Sequence, residues 1–222
     1  MNTIITIDGP TGSGKSTVSR LLAKKLNYNY LDTGAMYRTV GLAILRAGVR
    51  LQNKKEITRI CDSLDIRIIH EEGTTKIYMH DEDVTQTIRK PAIDLIASDV
   101  SAIDTVRKLM TGLQRKIGSQ GPLVADGRDM GTVVFPEAQN KFYIDASLEV
   151  RVDRRYQERQ KKGESISREK VKKDLIRRDD QDMNRNLSPL KPAKDAKIID
   201  TTHLNPQQIV DKIIEDMNRK NK

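Results

Sequence analysis

The chain is 222 residues long, 32% charged and only 4% aromatic, with no tryptophan and a formal net charge of +9. That length accommodates one sizeable core, or one core with insertions, and the charge points to anionic partners: nucleotides, nucleic acid or acidic lipid heads. A single thiol, Cys61, excludes a disulfide framework and a thiolate metal site and reads as a small buried hydrophobe in a reducing cytosol, while the opening MNTIITIDGP is not built as a signal peptide and no run approaches the ~20 apolar residues that span a bilayer.

In chain order, the first element is an apolar strand, Ile4–Ile7, followed by GPTGSGKS at 9–16 and an amphipathic stretch, Ser16–Leu26. A second strand, Tyr28–Leu31, runs into LDTGAMYR at 31–38, where Gly34 is expected to keep a turn open, and into a helical pattern over Ala35–Ala47. Residues 65–88 then read DIRIIH, EEGTT, KIYMH and DEDVTQTI, two runs straddling a glycine-containing loop, which predicts an inserted antiparallel β-hairpin. Further strands are expected at Leu123–Ala125, Phe142–Ile144 and Lys197–Ile199, and every one of the five ends in or beside an acid: Asp8, Asp32, Asp126, Asp145, Asp200. Strands alternating with helices imply βαβ units and a parallel sheet covered on both faces. Residues 151–185 are helical by pattern and nearly all charge, broken at KKGESIS; by composition alone they are a solvated helical pair. Asn205 and Pro206 announce a last helix as cap and first helical residue.

The segment 9–16 fits G-x-x-x-x-G-K-[ST] between a strand and a helix, the context that this phosphate-binding loop requires. Glycines 9, 12 and 14 allow the backbone to aim successive N–H groups inward, onto the positive end of the following helix. Lys15 can reach β- and γ-phosphates, and the Ser16 hydroxyl can ligate Mg²⁺. The motif selects a nucleoside triphosphate but leaves open a switch GTPase, a motor-type ATPase or a small-molecule kinase. The chain carries no guanine-reading N-K-x-D stretch, and a motor normally belongs to a longer chain. A kinase needs an acceptor site near the γ-phosphate. Three segments supply candidates: LDTGAMYR and ADGRDMGTVVF, 125–135, at the same sheet edge as the phosphate loop, and RRDDQDMNR at 177–185, whose Arg178, Asp182 and Arg185 share one helix face.

GPTGSGKST, LDTGAMYR, ADGRDMGTVVFP and RRDDQDMNR occur in the order in which the bacterial cytidylate kinases carry them, and the sequence resembles that family over essentially its whole length. The resemblance implies an α/β fold like that of the adenylate kinases: a five-stranded parallel sheet forming a P-loop kinase core flanked by helices (1–33, 109–150 and 176–222). It also implies a monophosphate-binding region, 34–108, with a small antiparallel β insertion at about 60–100, and a short helical lid, 151–175. Gly9, Pro10, Thr11, Gly12, Ser13, Gly14, Lys15, Ser16 and Thr17 are implied to bind ATP. Thr33, Tyr37 and Arg38 are implied to lie at the acceptor, the first and last holding its 5′-phosphate with help from Arg128. Ser98, Arg107, Asp129 and Arg185 are implied to read cytosine, and Arg178 and Asp182 to bind the ribose hydroxyls. Many members carry serine where Thr33 stands; the hydroxyl is retained.

An aspartate suits the amino group of cytosine, and arginines and a serine suit its two acceptors, so this set mates with cytosine and leaves buried groups unpaired with uracil. The implied reaction is ATP + CMP → ADP + CDP, with dCMP as a second acceptor, in pyrimidine nucleotide metabolism. The acceptor oxygen is already ionised, so no strong general base is required, and His70, His80 and His203 read as surface residues. Charge cancellation falls to Lys15, Mg²⁺, Arg128 and the lid, where Arg151, Arg154 and Arg155 fall at i, i+3 and i+4; Arg154 and Arg155 are expected over the γ-phosphate, with Arg177 as a further candidate. Asp126 either holds Mg²⁺ through water or caps its loop. A cytoplasmic monomer acting on small molecules, with neither nucleic acid nor membrane as partner, is expected. The rival readings are a kinase for another small acceptor (UMP, AMP or shikimate) and an RNA-binding ATPase that uses the positive charge, against which stand the few aromatics available for base stacking.

Overall fold

The computed structural model describes residues 3–71 and 74–220. Five parallel strands form the central sheet: β1 (Ile4–Asp8), β2 (Asn29–Asp32), β6 (Leu123–Gly127), β7 (Asn140–Asp145) and β8 (Lys197–Asp200), in the order β2-β6-β1-β7-β8. The side-chain alternation of the strands splits the core in two. Leu31, Leu123 and Ala125 face one way, onto α2 (Thr33–Arg46) and α5 (Asp104–Gly118) through Ala35, Met36, Val40, Val106 and Met110. Ile5, Ile7, Val124, Phe142 and Ile199 face the other way, onto α1 (Lys15–Leu26) and α8 (Pro206–Lys220) through Val18, Leu22, Ile209 and Ile213. A strand covered on both faces reads as a nearly continuous apolar run, which is why these segments are visible in the sequence.

The parallel register brings the strand ends level: Asp32 pairs with Asp126, Asp8 with Gly127 and with Tyr143, and Asp145 with Asp200. Every loop that carries a motif therefore leaves the same edge. The expected hairpin is present as β3 (Ile66–Glu71) and β4 (Thr74–Met79), with a two-residue third strand, β5 (Glu82–Asp83), added to make a separate antiparallel sheet. Glu72 and Gly73 of its loop and the side chain of His70 lie outside the described residues. His80 and His203 are exposed, and Cys61 is buried without a disulfide, as expected. Two further helices, α3 (Lys54–Ser63) and α4 (Pro91–Val100), complete this region. The cap expected at Asn205 forms a reciprocal capping box with Gln208, at 3.0 and 2.9 Å.

Gly34 differs from its reading. It sits in the first turn of α2, because the Asp32 carboxylate accepts the Ala35 N–H at 2.9 Å and starts the helix at Thr33. A Cβ on Gly34 would lie 3.2 Å from Arg38 Nη1, so the glycine leaves room for a guanidinium.

The charged segment folds as two antiparallel helices, α6 (Leu148–Lys161) and α7 (Arg168–Asn184), joined by a loop in which Gly163 takes φ +77°. The break read at KKGESIS is thus a left-handed helix terminus that favours glycine. The pair has its own small core of Val152, Val171 and Leu175, apart from the two sheet cores. Val152→Ala is expected to cost roughly 1–3 kcal/mol. The loss should appear in hydrogen exchange as weaker protection confined to 148–184; equal loss across β1, β6 and β7 would mean that the pair is not a separate unit.

Candidate active site

The loop 9–14 is shaped by backbone geometry. Gly9, Gly12 and Gly14 have φ of +150°, +79° and +95°, and a Cβ on Gly9 would lie 2.0 Å from the Ile144 carbonyl oxygen. Gly14 is the N-cap of α1, so the loop closes onto that helix's N-terminus. Lys15 is buried, and its ammonium donates to the Pro10 carbonyl at 2.6 Å. Burial, and then the nearby Arg128, push its pKa well down. Thr11 is held from outside: its N–H donates to Asp179 at 3.2 Å, and Arg151 donates to its carbonyl at 3.1 Å and to the same Asp179.

At the end of β6, the Asp126 carboxylate accepts the Ser16 hydroxyl at 2.6 Å and the Tyr30 hydroxyl at 3.0 Å, and its backbone carbonyl accepts the Thr33 hydroxyl at 2.7 Å. Burial and then the neighbouring Asp32 raise its pKa to about 6. A buried carboxylate with a serine hydroxyl beside the phosphate loop is an oxygen donor pair of the kind Mg²⁺ takes, and a cation there would relieve the carboxylate–carboxylate repulsion that now raises Asp126. The residues therefore fit the ion.

These loops surround one cavity of about 660 Å³, large enough for nucleotide-sized ligands. Of the residues implied by the sequence, Thr11, Gly12, Gly14, Lys15, Ser16, Thr17, Thr33, Tyr37, Arg38, Ser98, Asp126, Arg128, Asp129, Arg154, Arg155, Arg178, Asp182 and Arg185 line it. Gly9, Pro10 and Ser13 do not; they form the inner side of the loop. Arg107 also stands behind the wall, 4% exposed, donating to Asp129 and, at 3.0 Å, to the Ser101 carbonyl. Arg177 is exposed and off the wall, because one residue's rotation around α7 separates it from Arg178. Arg151, Arg154 and Arg155 diverge: Arg151 braces the phosphate loop, Arg154 reaches the Ser13 carbonyl at 3.3 Å and the Thr201 carbonyl at 2.7 Å, and Arg155 reaches Asp94.

At the end of the cavity near α4 and α5, Asp129 is 2% exposed and paired with Arg107, and with Arg185 at 3.6 Å. Burial raises its pKa against the pull of those two arginines. Ser98 donates to Gln181 at 3.2 Å. In the middle, Arg128 pairs with Asp182 at 2.8 Å and donates to the Thr11 hydroxyl at 2.8 Å. Arg178, like Arg185 through its Nη2, is left with a buried nitrogen that no hydrogen bond takes among the described residues. In Arg178 that nitrogen is Nε, and burial, Arg128 and Arg38 lower the pKa of its guanidinium to about 10. At the opposite end, beside Arg154, the wall is apolar: Leu204, Pro206 and Ile209.

Several residues that build this site carry no motif. Asp8 accepts the Met130 and Gly131 N–H groups at 2.9 and 2.8 Å, pinning the π-helical turn Met130–Val134 that follows Asp129. Ser101 accepts from Arg107 on its carbonyl and lies 3.4 Å from Arg185 Nη1. Asp94, Asp179 and Gln181 complete the set. An acid after every strand was visible as a pattern and could have flagged Asp8; nothing local marks Ser101 or Asp94.

The family model described as cytidylate kinase matches residues 5–219. A cytidylate kinase of Carboxydothermus hydrogenoformans is 47% identical over 217 residues, covering 98% of both chains, and one of Clostridioides difficile is 42% identical over 98% of this chain and 99% of its own. Among solved structures, an uncharacterized protein from Eubacterium ventriosum shares the fold, with a TM-score of 0.54 at 13% identity over 97% of this chain and 98% of its own.

Burial, opposed by the two backbone hydrogen bonds, raises Asp8 from 3.8 to about 7. A folded-state pKa above the unfolded one means that the native state holds the proton more tightly, so this group's contribution to stability falls as pH rises from about 4 to about 7 and is flat beyond. Asp8→Asn removes the titration. In urea unfolding between pH 5 and 8, the stability of the wild type relative to Asp8→Asn should decline with rising pH, by on the order of 1–3 kcal/mol in all; a pH-independent difference would refute the assignment.

Proposed function

The chain belongs to the cytidylate kinase family, and on that footing we propose that it transfers the γ-phosphoryl group of ATP to the 5′-phosphate of CMP, and of dCMP. The observation that carries this reading is the gathering of Arg38, Arg128, Arg155 and Arg178, from four separate segments, around one cavity beside the phosphate loop. An oxygen of the acceptor phosphate attacks the γ-phosphorus. That P–O bond forms as the bond to the β–γ bridging oxygen breaks, and ADP leaves with the electron pair. At neutral pH the nucleophile requires no protein base and the leaving group no protein acid. The protein must bring two polyanions into line and cancel their repulsion.

The roles follow from position. The loop N–H groups and Lys15 hold the donor phosphates, and the apolar wall of Leu204, Pro206 and Ile209 suits the donor's base. Thr33, Arg38 and Arg128 hold the acceptor phosphate. Arg178, lacking a partner for its Nε, gains one from a phosphate or a ribose oxygen. Asp182 faces the ribose, with its other oxygen held by Arg128. Tyr37 closes the acceptor side, where the Arg107 guanidinium carbon lies 5.8 Å from the centre of its ring. Asp129, Ser98 and Arg185 meet the base directly, and Arg107 holds Asp129 from behind. Ser16 and Asp126 would hold Mg²⁺, which supplies charge neutralisation of the donor phosphates when bound. Residues 151–175 serve as the lid, with Arg154 and Arg155 on the γ-phosphate side; its closure excludes water and limits ATP hydrolysis. Among the described residues no helix is long and apolar enough to cross a membrane; the proposed reaction places the protein in the cytoplasm, acting on small molecules.

Diphosphate formation from ATP and Mg²⁺ with each common nucleoside monophosphate in turn is expected to favour CMP, with dCMP next; equal turnover of AMP or UMP would overturn the acceptor assignment. Asp129→Asn keeps the shape but loses the charge facing the amino group. It should reduce the CMP:UMP ratio of kcat/KM by roughly tenfold or more, and an unchanged ratio would remove Asp129 from base reading.

A further inference from the structure

Asp94 lies in the first turn of α4, on the acceptor side of the cavity, and its two carboxylate oxygens go to two different segments. Oδ1 accepts Arg38 Nε at 2.7 Å, from α2; Oδ2 accepts Arg155 Nη2, from α6. All three side chains are less than one-fifth exposed. The arrangement leaves each guanidinium with free capacity. Arg38 uses only its inner nitrogen on Asp94, keeping Nη1 and Nη2, and Arg155 gives Nη1 to Glu158 at 2.7 Å. Charge-assisted bonds of this kind hold a guanidinium in one plane.

Without an anion between them, Arg38 and Arg155 repel at short range in a half-dry cleft. Burial works against charge on Asp94, yet Arg38, Arg155 and Arg178 together bring its pKa down to about 2, so it is a carboxylate at any working pH. Asp94 also has little else to do: both of its oxygens are committed to these arginines.

We propose that Asp94 is the positioning residue that joins the two halves of the reaction. It holds the acceptor-side Arg38 and the donor-side Arg155 on one carboxylate, so that the guanidiniums flanking the transferring phosphoryl group are set relative to each other before either nucleotide arrives. This inference rests on the reading of Arg38 as the acceptor-phosphate residue and of Arg155 as the γ-phosphate residue. It differs from a packing role because its two oxygens are divided between an acceptor-side and a donor-side guanidinium.

The test is steady-state kinetics with ATP and CMP varied independently in the wild type, Asp94→Asn and Asp94→Glu, alongside thermal melting. The wild type must first phosphorylate CMP or another monophosphate, which is then the acceptor used throughout; if it phosphorylates none, the proposed function fails and this inference with it. Asp94→Asn should raise both KM values, each by roughly tenfold, and lower kcat, while Asp94→Glu, which keeps the charge at a shifted position, should fall between it and the wild type for both substrates. In an Asp94→Asn, Arg155→Gln double variant the KM for ATP should be no worse than in Arg155→Gln alone. A fall in kcat with both KM values unchanged, the mark of a smaller active fraction, would overturn the proposal. So would a change in the KM for CMP alone, which would make Asp94 a partner of Arg38 only. Should Asp94→Asn fail to fold, Asp94→Glu must still move both KM values above those of the wild type.

Discussion

Like charges packed into a cleft that excludes much of the water constrain everything else in this structure. Two guanidiniums a few ångströms apart repel weakly in water and several times more strongly at the effective dielectric of a protein. The cleft concentrates Lys15 and arginines from α2, α6, α7 and the loop after β6. It remains folded because acids are threaded between them: Asp94 between Arg38 and Arg155, Asp182 against Arg128, Asp129 against Arg107, Asp179 against Arg151. The compensation is incomplete at Arg178, whose lowered pKa and orphaned Nε mark the point at which the protein has withheld an internal anion. Under the proposed function, a phosphate oxygen arriving there would complete a set of hydrogen bonds rather than compete with one.

The sheet makes this economical. In parallel strands held level by register, the strand-ending aspartates gather in a short row: Asp32 pairs directly with Asp126, and Asp8, paired with Gly127, stands one residue further on and faces the other side of the sheet. Each member then serves a different loop. Asp32 caps α2, Asp126 takes the Ser16 and Tyr30 hydroxyls, and Asp8 pins the turn behind Asp129. The row is acidic and buried against the sheet, while the arginines stand above it. That order sets a preference for cations at the floor and for anions above.

Legibility in the sequence followed locality. The phosphate loop was readable because glycines, lysine and serine lie in one stretch between a strand and a helix, and the strands were readable because burial on both faces removes their polar positions. The break between α6 and α7 showed itself through Gly163, whose φ of +77° is a local requirement. Gly34 was readable as necessary but not for the right reason: its role is to vacate space for a side chain one helical turn away, which no local rule encodes. Asp94, Asp179 and Ser101 acquire meaning only from partners 61, 168 and 84 residues distant in sequence. The family resemblance assigned Arg107 to the base site; in the structure it is buried and grips Asp129, the residue that faces the cavity.

The α6–α7 pair shows how one element can be firm inside and detachable outside. Its interior is apolar, through Val152, Val171 and Leu175, so separating the two helices from each other would expose hydrocarbon. Several of its ties to the rest of the site are polar: Arg151 to Thr11, Arg154 to Thr201, Arg155 to Asp94. Water or a phosphate oxygen can take over a guanidinium hydrogen bond at little net cost, whereas nothing in solution replaces a buried valine. A segment built this way can exchange its partners and keep its shape, as the proposed lid must. Under the proposed function Arg154, tied here to the Ser13 and Thr201 carbonyls, would exchange those neutral acceptors for phosphate oxygens, while Arg155 stays held by Asp94.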